Sequence, residues 1–179
     1  MSEDQRVARN PAEPEKHGPA GKERWADYLD WVRGDIARAV LALPEADQRR
    51  STLPSGWSPI ELLSHVLHME QRWFVWGFLG EQVPDPWGDW TIENPWDDEA
   101  GTGRWVVPPT VSAPDLAERL DAIGRRTRQV LATHPLDTPG ATTGRLGQDP
   151  PTLEWICFHV LAEYARHAGH LDVALEVRG

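Results

Sequence analysis

The chain has 179 residues, a net charge of −10 from 18 basic and 28 acidic side chains, and a single cysteine, Cys157. That length suits one domain with a real core, and an acidic balance without a basic stripe argues against nucleic acid as the main partner. One cysteine excludes an internal disulfide, no apolar run has the length of a membrane span, and the polar start Met1-Ser-Glu-Asp-Gln-Arg lacks a signal-peptide core, so a cytoplasmic protein with no membrane partner is expected.

Residues 1–21 are rich in Pro, Gly, Glu and Lys and read as a mobile N-terminal arm, leaving 22–179 as the folded unit. A first helix is predicted from Lys22 to Leu43, where Tyr28, Val32, Ile36, Val40 and Leu43 recur at helical spacing and Pro44 marks the exit. Ser58-Pro59-Ile60-Glu61 opens a second helix with an N-cap Ser, Pro at the first helical position and Glu three residues after the cap. That helix should end near Gly80. His65 shares its face with Leu62, Met69 and Trp76, His68 lies toward the edge of the stripe, and Glu70 is expected to point away, solvated or behind the stripe.

Residues 80–113 form a Pro- and Trp-rich connection containing Trp87, Trp90, Trp96 and Trp105. So many tryptophans argue against disorder, and the segment reads as a crossover that covers one end of the fold. It either walls a pocket or simply packs for stability. Ser112-Ala-Pro114-Asp115 opens a third helix with Leu116, Leu120, Ile123, Val130 and Leu131 on its apolar face, ended by Pro135. After a Gly-, Thr- and Pro-rich loop, a fourth helix runs from Thr152 to Val177. With no strand-period segment, the fold predicted is all-α, a four-helix bundle with long crossover loops.

The last helix carries the chemistry. Glu163 and His167 are four residues apart and His170 follows three later, so all three share one helical face, extended backward by His159. Imidazoles and a carboxylate on one stripe suit a divalent metal. A single helix cannot wrap an ion, so a further ligand must come from another helix, and His65 is the donor available. The bland alternative is a row of hydrogen-bonded histidines on a half-buried helix. Cys157 projects off the Glu163–His167 face and reads as a small buried hydrophobe.

Several ordered motifs then carry a resemblance: Pro54-Ser-Gly-Trp57-Ser-Pro, His65-Val-Leu-His-Met-Glu70-Gln-Arg-Trp73-Phe, Gly80-Glu-Gln-Val-Pro-Asp-Pro-Trp87 and Ala162-Glu163-Tyr-Ala-Arg166-His167-Ala-Gly-His170-Leu-Asp172. From Trp25 to Arg178 the chain resembles the DinB-like metal-binding four-helix superfamily, in its actinobacterial branch of mycothiol-dependent transferases. The resemblance implies a bundle of DinB-like type and a metal held by His65, Glu163 and His167. Glu163 stands where the commoner form has histidine, which leaves His170 as an alternative ligand to Glu163. His159 is expected behind the ligands or in the core.

Three protein ligands leave a coordination position open, the pattern of a catalytic site. Zinc is the metal expected, with nickel or iron as alternatives, since all accept imidazole and carboxylate. The activity implied is a thiol S-transferase that uses mycothiol, as a metal-activated thiolate, on an electrophilic small molecule. A metal-dependent isomerase or epimerase and a non-catalytic, stress-associated metal-binding module are the alternatives. Arg33, Arg166 and Trp87 are the candidates for binding thiol or substrate. The chain is expected to act as a monomer or homodimer.

Overall fold

The computed structural model describes residues 13–85 and 106–178. Trp87 and the other crossover tryptophans, Trp90, Trp96 and Trp105, lie outside the described residues, as does any pocket wall they form. The helix starts follow the signals in the sequence. At the second long helix the Glu61 carboxylate accepts from the Ser58 N–H at 2.7 Å and from Ser58 Oγ at 2.8 Å. Asp115 does the same for Ser112, at 2.9 and 2.6 Å, and Thr152 Oγ1 accepts from the Trp155 N–H at 3.4 Å. The bonds from the Ser58, Ser112 and Trp155 N–H groups satisfy backbone donors that the helix starts would otherwise leave orphaned.

The elements are α1 (Lys22–Leu41), the short α2 (Glu45–Gln48), α3 (Pro59–Glu70) continuing into a π-helical segment (Gln71–Phe78), α4 (Ala113–Thr133) and α5 (Leu153–Glu176). There is no strand among the described residues. α4 and α5 each pack against both α1 and α3. The core is built from Leu29, Ile36 and Val40 of α1, Leu62, Leu63 and Val66 of α3, Leu116, Leu120 and Leu131 of α4, and Ile156, Val160 and Tyr164 of α5. An all-α bundle of four long helices is thus the architecture, as the periodicity predicts.

Two boundaries differ from the sequence reading. α1 stops at Leu41 because the Leu43 N–H turns to the Val40 carbonyl, three residues back, at 3.1 Å, a tightening of the last turn. The second helix widens after Glu70, so that the Leu79 N–H reaches the Phe74 carbonyl, five residues back, at 3.1 Å. Gly77 permits this turn, since a Cβ there would lie 2.9 Å from the Arg72 carbonyl oxygen and 3.2 Å from Leu146 Cδ1. The widened turn rephases the side chains that follow it, burying Phe74 and Phe78 and laying Trp73 beside α5.

Glu70 is a correction. Expected to point away from the core stripe, it is fully buried and joins all four long helices. Its carboxylate accepts from Arg33 Nε at 2.8 Å and Nη2 at 2.7 Å (α1), from Thr127 Oγ1 at 2.5 Å (α4) and from the Tyr164 hydroxyl (α5). Burial alone would lower the Arg33 pKa, yet Glu70 beside it holds it well above its ordinary value. Burial and Glu70 together raise the Tyr164 hydroxyl well above its own. One cation and one anion cancel in the core, with their hydrogen-bonding capacity largely met by neighbours.

Candidate metal centre

α5 turns His167 inward by plain periodicity. Leu153, Ile156, Val160, Tyr164, His167, Leu171 and Ala174 recur three or four residues apart and all are buried. His167 therefore occupies a core position on a helix that is otherwise apolar on that face. Glu163, one turn earlier, lies at the edge of the stripe and is half-buried. On α3, His65 is half-buried between the buried Leu62 and Met69.

These three residues meet. One ligand atom from each of His65, Glu163 and His167 lies within 4.8 Å of the other two. The two imidazole centroids are 4.6 Å apart, with the rings inclined at 65°. His167 Nε2 is 3.4 Å from Glu163 Oε2, while Glu163 Oε1 accepts from Arg166 Nη1 at 3.2 Å. Burial and the neighbouring His65 push the His167 pKa down to about 4, against a smaller upward pull from Glu163. A neutral imidazole with a usable lone pair is the form a metal requires. Two imidazoles and one carboxylate, contributed by two helices, fit a divalent cation in donor type and in number.

The other candidates are placed as follows. His170 is exposed, with its ring 5.7 Å from that of His167, and it is not part of the three-residue group. His68 is buried rather than marginal, with Nδ1 2.7 Å from the Ser64 carbonyl oxygen and Nε2 3.2 Å from Asp85 Oδ2. His159 packs against Trp73 and Trp155. Cys157 is buried, and burial with Glu154 and Glu70 nearby pushes its thiol up to about 12, the opposite of an activated nucleophile. Arg166 is exposed and holds Glu163. Arg33, a candidate for orienting thiol or substrate, gives its guanidinium to Glu70 and Asp30.

What the sequence reading missed is the buried Arg33–Glu70–Thr127–Tyr164 clasp and the aromatic packing around His159. A signal for the first was present, since Arg33 lies in the core phase of Leu29 and Ile36.

A helical bundle that gathers two imidazoles and a carboxylate between its α3 and α5 helices defines a class: all-α proteins with a candidate metal centre set between helices. A family model described as mycothiol-S-transferase matches residues 25–177, most of the chain. The chain belongs to the mycothiol-S-transferase family, a DinB-like family. No curated protein matches it. No described helix is long and apolar enough to cross a membrane.

Proposed function

We propose that this protein transfers a low-molecular-weight thiol, mycothiol in its family, to an electrophilic small molecule, and that His65, Glu163 and His167 hold the divalent cation that assists it. The reading is carried by the approach of those three side chains to within 4.8 Å in a chain of the mycothiol-S-transferase family. A cation held there, zinc before nickel or iron, would supply Lewis acidity that favours the ionised form of a thiol at neutral pH.

The chain's own residues do the rest. Glu163 offsets one positive charge and leaves one to attract an anion. Arg166, 3.2 Å from Glu163, restrains that carboxylate from the solvent side. His167 stays neutral through burial. Cys157 is buried and its thiol is pushed up to about 12, which disfavours it as nucleophile and supports a sulfur brought from outside the chain. In the transfer the thiol sulfur forms a bond to the electrophilic carbon. The leaving group departs with its bonding pair, and the thiol proton passes to solvent. A cytoplasmic setting, where small thiols are kept reduced, belongs to the same proposal.

The test mixes mycothiol with monochlorobimane in the presence of metal-loaded protein, metal-free protein or the Cys157→Ser variant. Loaded protein and Cys157→Ser should accelerate conjugation alike, and metal-free protein should not. Equal rates with and without metal would remove the cation from the reaction. Loss of activity in Cys157→Ser with metal content intact would place the nucleophile on the protein and overturn the reading.

A further inference from the structure

Trp73, His159 and Trp155 form a ladder of rings next to the metal cluster. The His159 ring lies 4.2 Å from that of Trp73 and 5.2 Å from that of Trp155, to which it is nearly parallel at 10°. Arg145 Cζ stands 4.8 Å over the Trp73 ring, and Trp155 keeps 49% of its surface exposed. Along α5, Trp155, His159 and Glu163 follow one another every four residues, about 6 Å per step at the helical rise. Trp73 also lies 5.7 Å from Trp155, so the three rings pack on one another beside α5, starting one helical turn from Glu163. Burial first, and then the nearby Arg145 and Arg166, disfavour a proton on His159 against an upward pull from Glu163. Arg145 is also partly withdrawn from water, which strengthens the field it exerts.

The region therefore offers an indole, that of Trp155, with half of its surface open to solvent, and the guanidinium of Arg145 over the neighbouring Trp73 ring, while Arg166 is engaged with Glu163. An indole face takes a flat ring, and guanidinium groups take a carboxylate or a similar anion. A neutral, non-planar electrophile would use neither. We propose that this ladder seats the electrophile of the transfer reaction and selects a planar, conjugated molecule that carries a carboxylate or comparable anion. The inference rests on the transferase reading for the word electrophile, though not for the binding itself.

Calorimetry with 3-nitrobenzoate tests it without turnover, because that probe has the flat ring and the carboxylate and no leaving group. The uncharged 3-nitrobenzamide is its control. Metal-loaded protein should bind the benzoate about tenfold more tightly than the amide, the range of one charge-assisted hydrogen bond. Arg145→Met should remove that preference, and Trp155→Ala should weaken both ligands about tenfold, with metal content and helix signal unchanged. Trp155→Phe, which keeps a flat face, should retain most of the affinity. Equal binding of the two ligands, or full affinity in Trp155→Ala, would overturn the proposal and leave the ladder as packing. The reactive partner 4-chloro-3-nitrobenzoate, which loses chloride as a sulfur–aryl bond forms, separates the two claims. Binding of 3-nitrobenzoate with no conjugation of any electrophile would sink the transferase reading alone. Conjugation of monochlorobimane with no binding of 3-nitrobenzoate would sink the ladder alone.

Discussion

His167 is kept available for a cation by the burial that makes it unfit for a proton. Its pKa is down at about 4, against 6.5 in an unfolded chain. As pH falls between those values the unfolded chain takes up a proton at this residue before the folded one does, so the unfolded state gains. Stability of the metal-free protein should therefore fall as pH drops from about 6.5 toward 4, by on the order of 2 kcal/mol from this residue. Urea midpoints at several pH values measure it, and His167→Gln should flatten that part of the slope. A slope unchanged by His167→Gln would show that the ring is not held neutral by its site. Metal content per chain tests the ligand set: His65→Ala and His167→Ala should lose the ion, whereas His170→Ala should keep it. Equal loss in His170→Ala would mean that Glu163 is the wrong partner. Glu163 and His170 were hard to tell apart in the sequence for a physical reason. Seven residues along a helix return to nearly the same angle, so periodicity gives the direction of a side chain and not its height against the neighbouring helix. Only the structure, by setting His65 against α5, gives that height.

Among the elements, the clasp at Glu70 sets that height. Tyr164, which it holds, directly follows Glu163 and precedes His167 by three residues, so fixing its hydroxyl fixes the rotation of α5. Glu70 follows His65 by five residues and anchors α3 at the point where the helix widens. Removing one partner of a buried ion pair leaves a charge stranded, at a cost of about 3–5 kcal/mol, whereas removing both costs far less. Arg33→Met and Glu70→Leu should each destabilise by about that amount, and the double variant by clearly less than the sum. Additive losses in urea midpoints would show that the pair is not coupled. Gly124 of α4 belongs to the same arrangement, since a Cβ there would strike the Arg33 guanidinium. Gly124→Ala, favourable by about 1 kcal/mol in an unobstructed helix, should here lower the thermal midpoint. None of this was legible in the sequence beyond the phase of Arg33. A polar residue on a helix looks solvated until the partner that neutralises it is seen, and the π-helical turn that rephases Trp73 has no periodic signature of its own. The helix starts were legible because Ser58, Ser112 and Thr152 satisfy their own local backbone, which needs no tertiary context.

At the scale of the whole molecule, the cluster links α3 to α5 across nearly a hundred residues of chain, yet the helices carry their own apolar core. Leu62, Leu63 and Val66 of α3 share one apolar core with Ile156, Val160 and Tyr164 of α5. Metal should therefore add to stability without creating the fold. A cation that binds only the folded state, at a hundred times its dissociation constant, adds about 2.7 kcal/mol. For a chain of this size that amounts to roughly 5–10 °C in thermal midpoint. Chelation should lower the midpoint by about this much while leaving the far-ultraviolet circular dichroism at 25 °C unchanged. His167→Ala should give the same midpoint with and without chelator. Loss of the helical signal on chelation at 25 °C would show that the ion builds the bundle. The non-catalytic reading, in which metal serves only to tie helices together, would then take the place of the transferase.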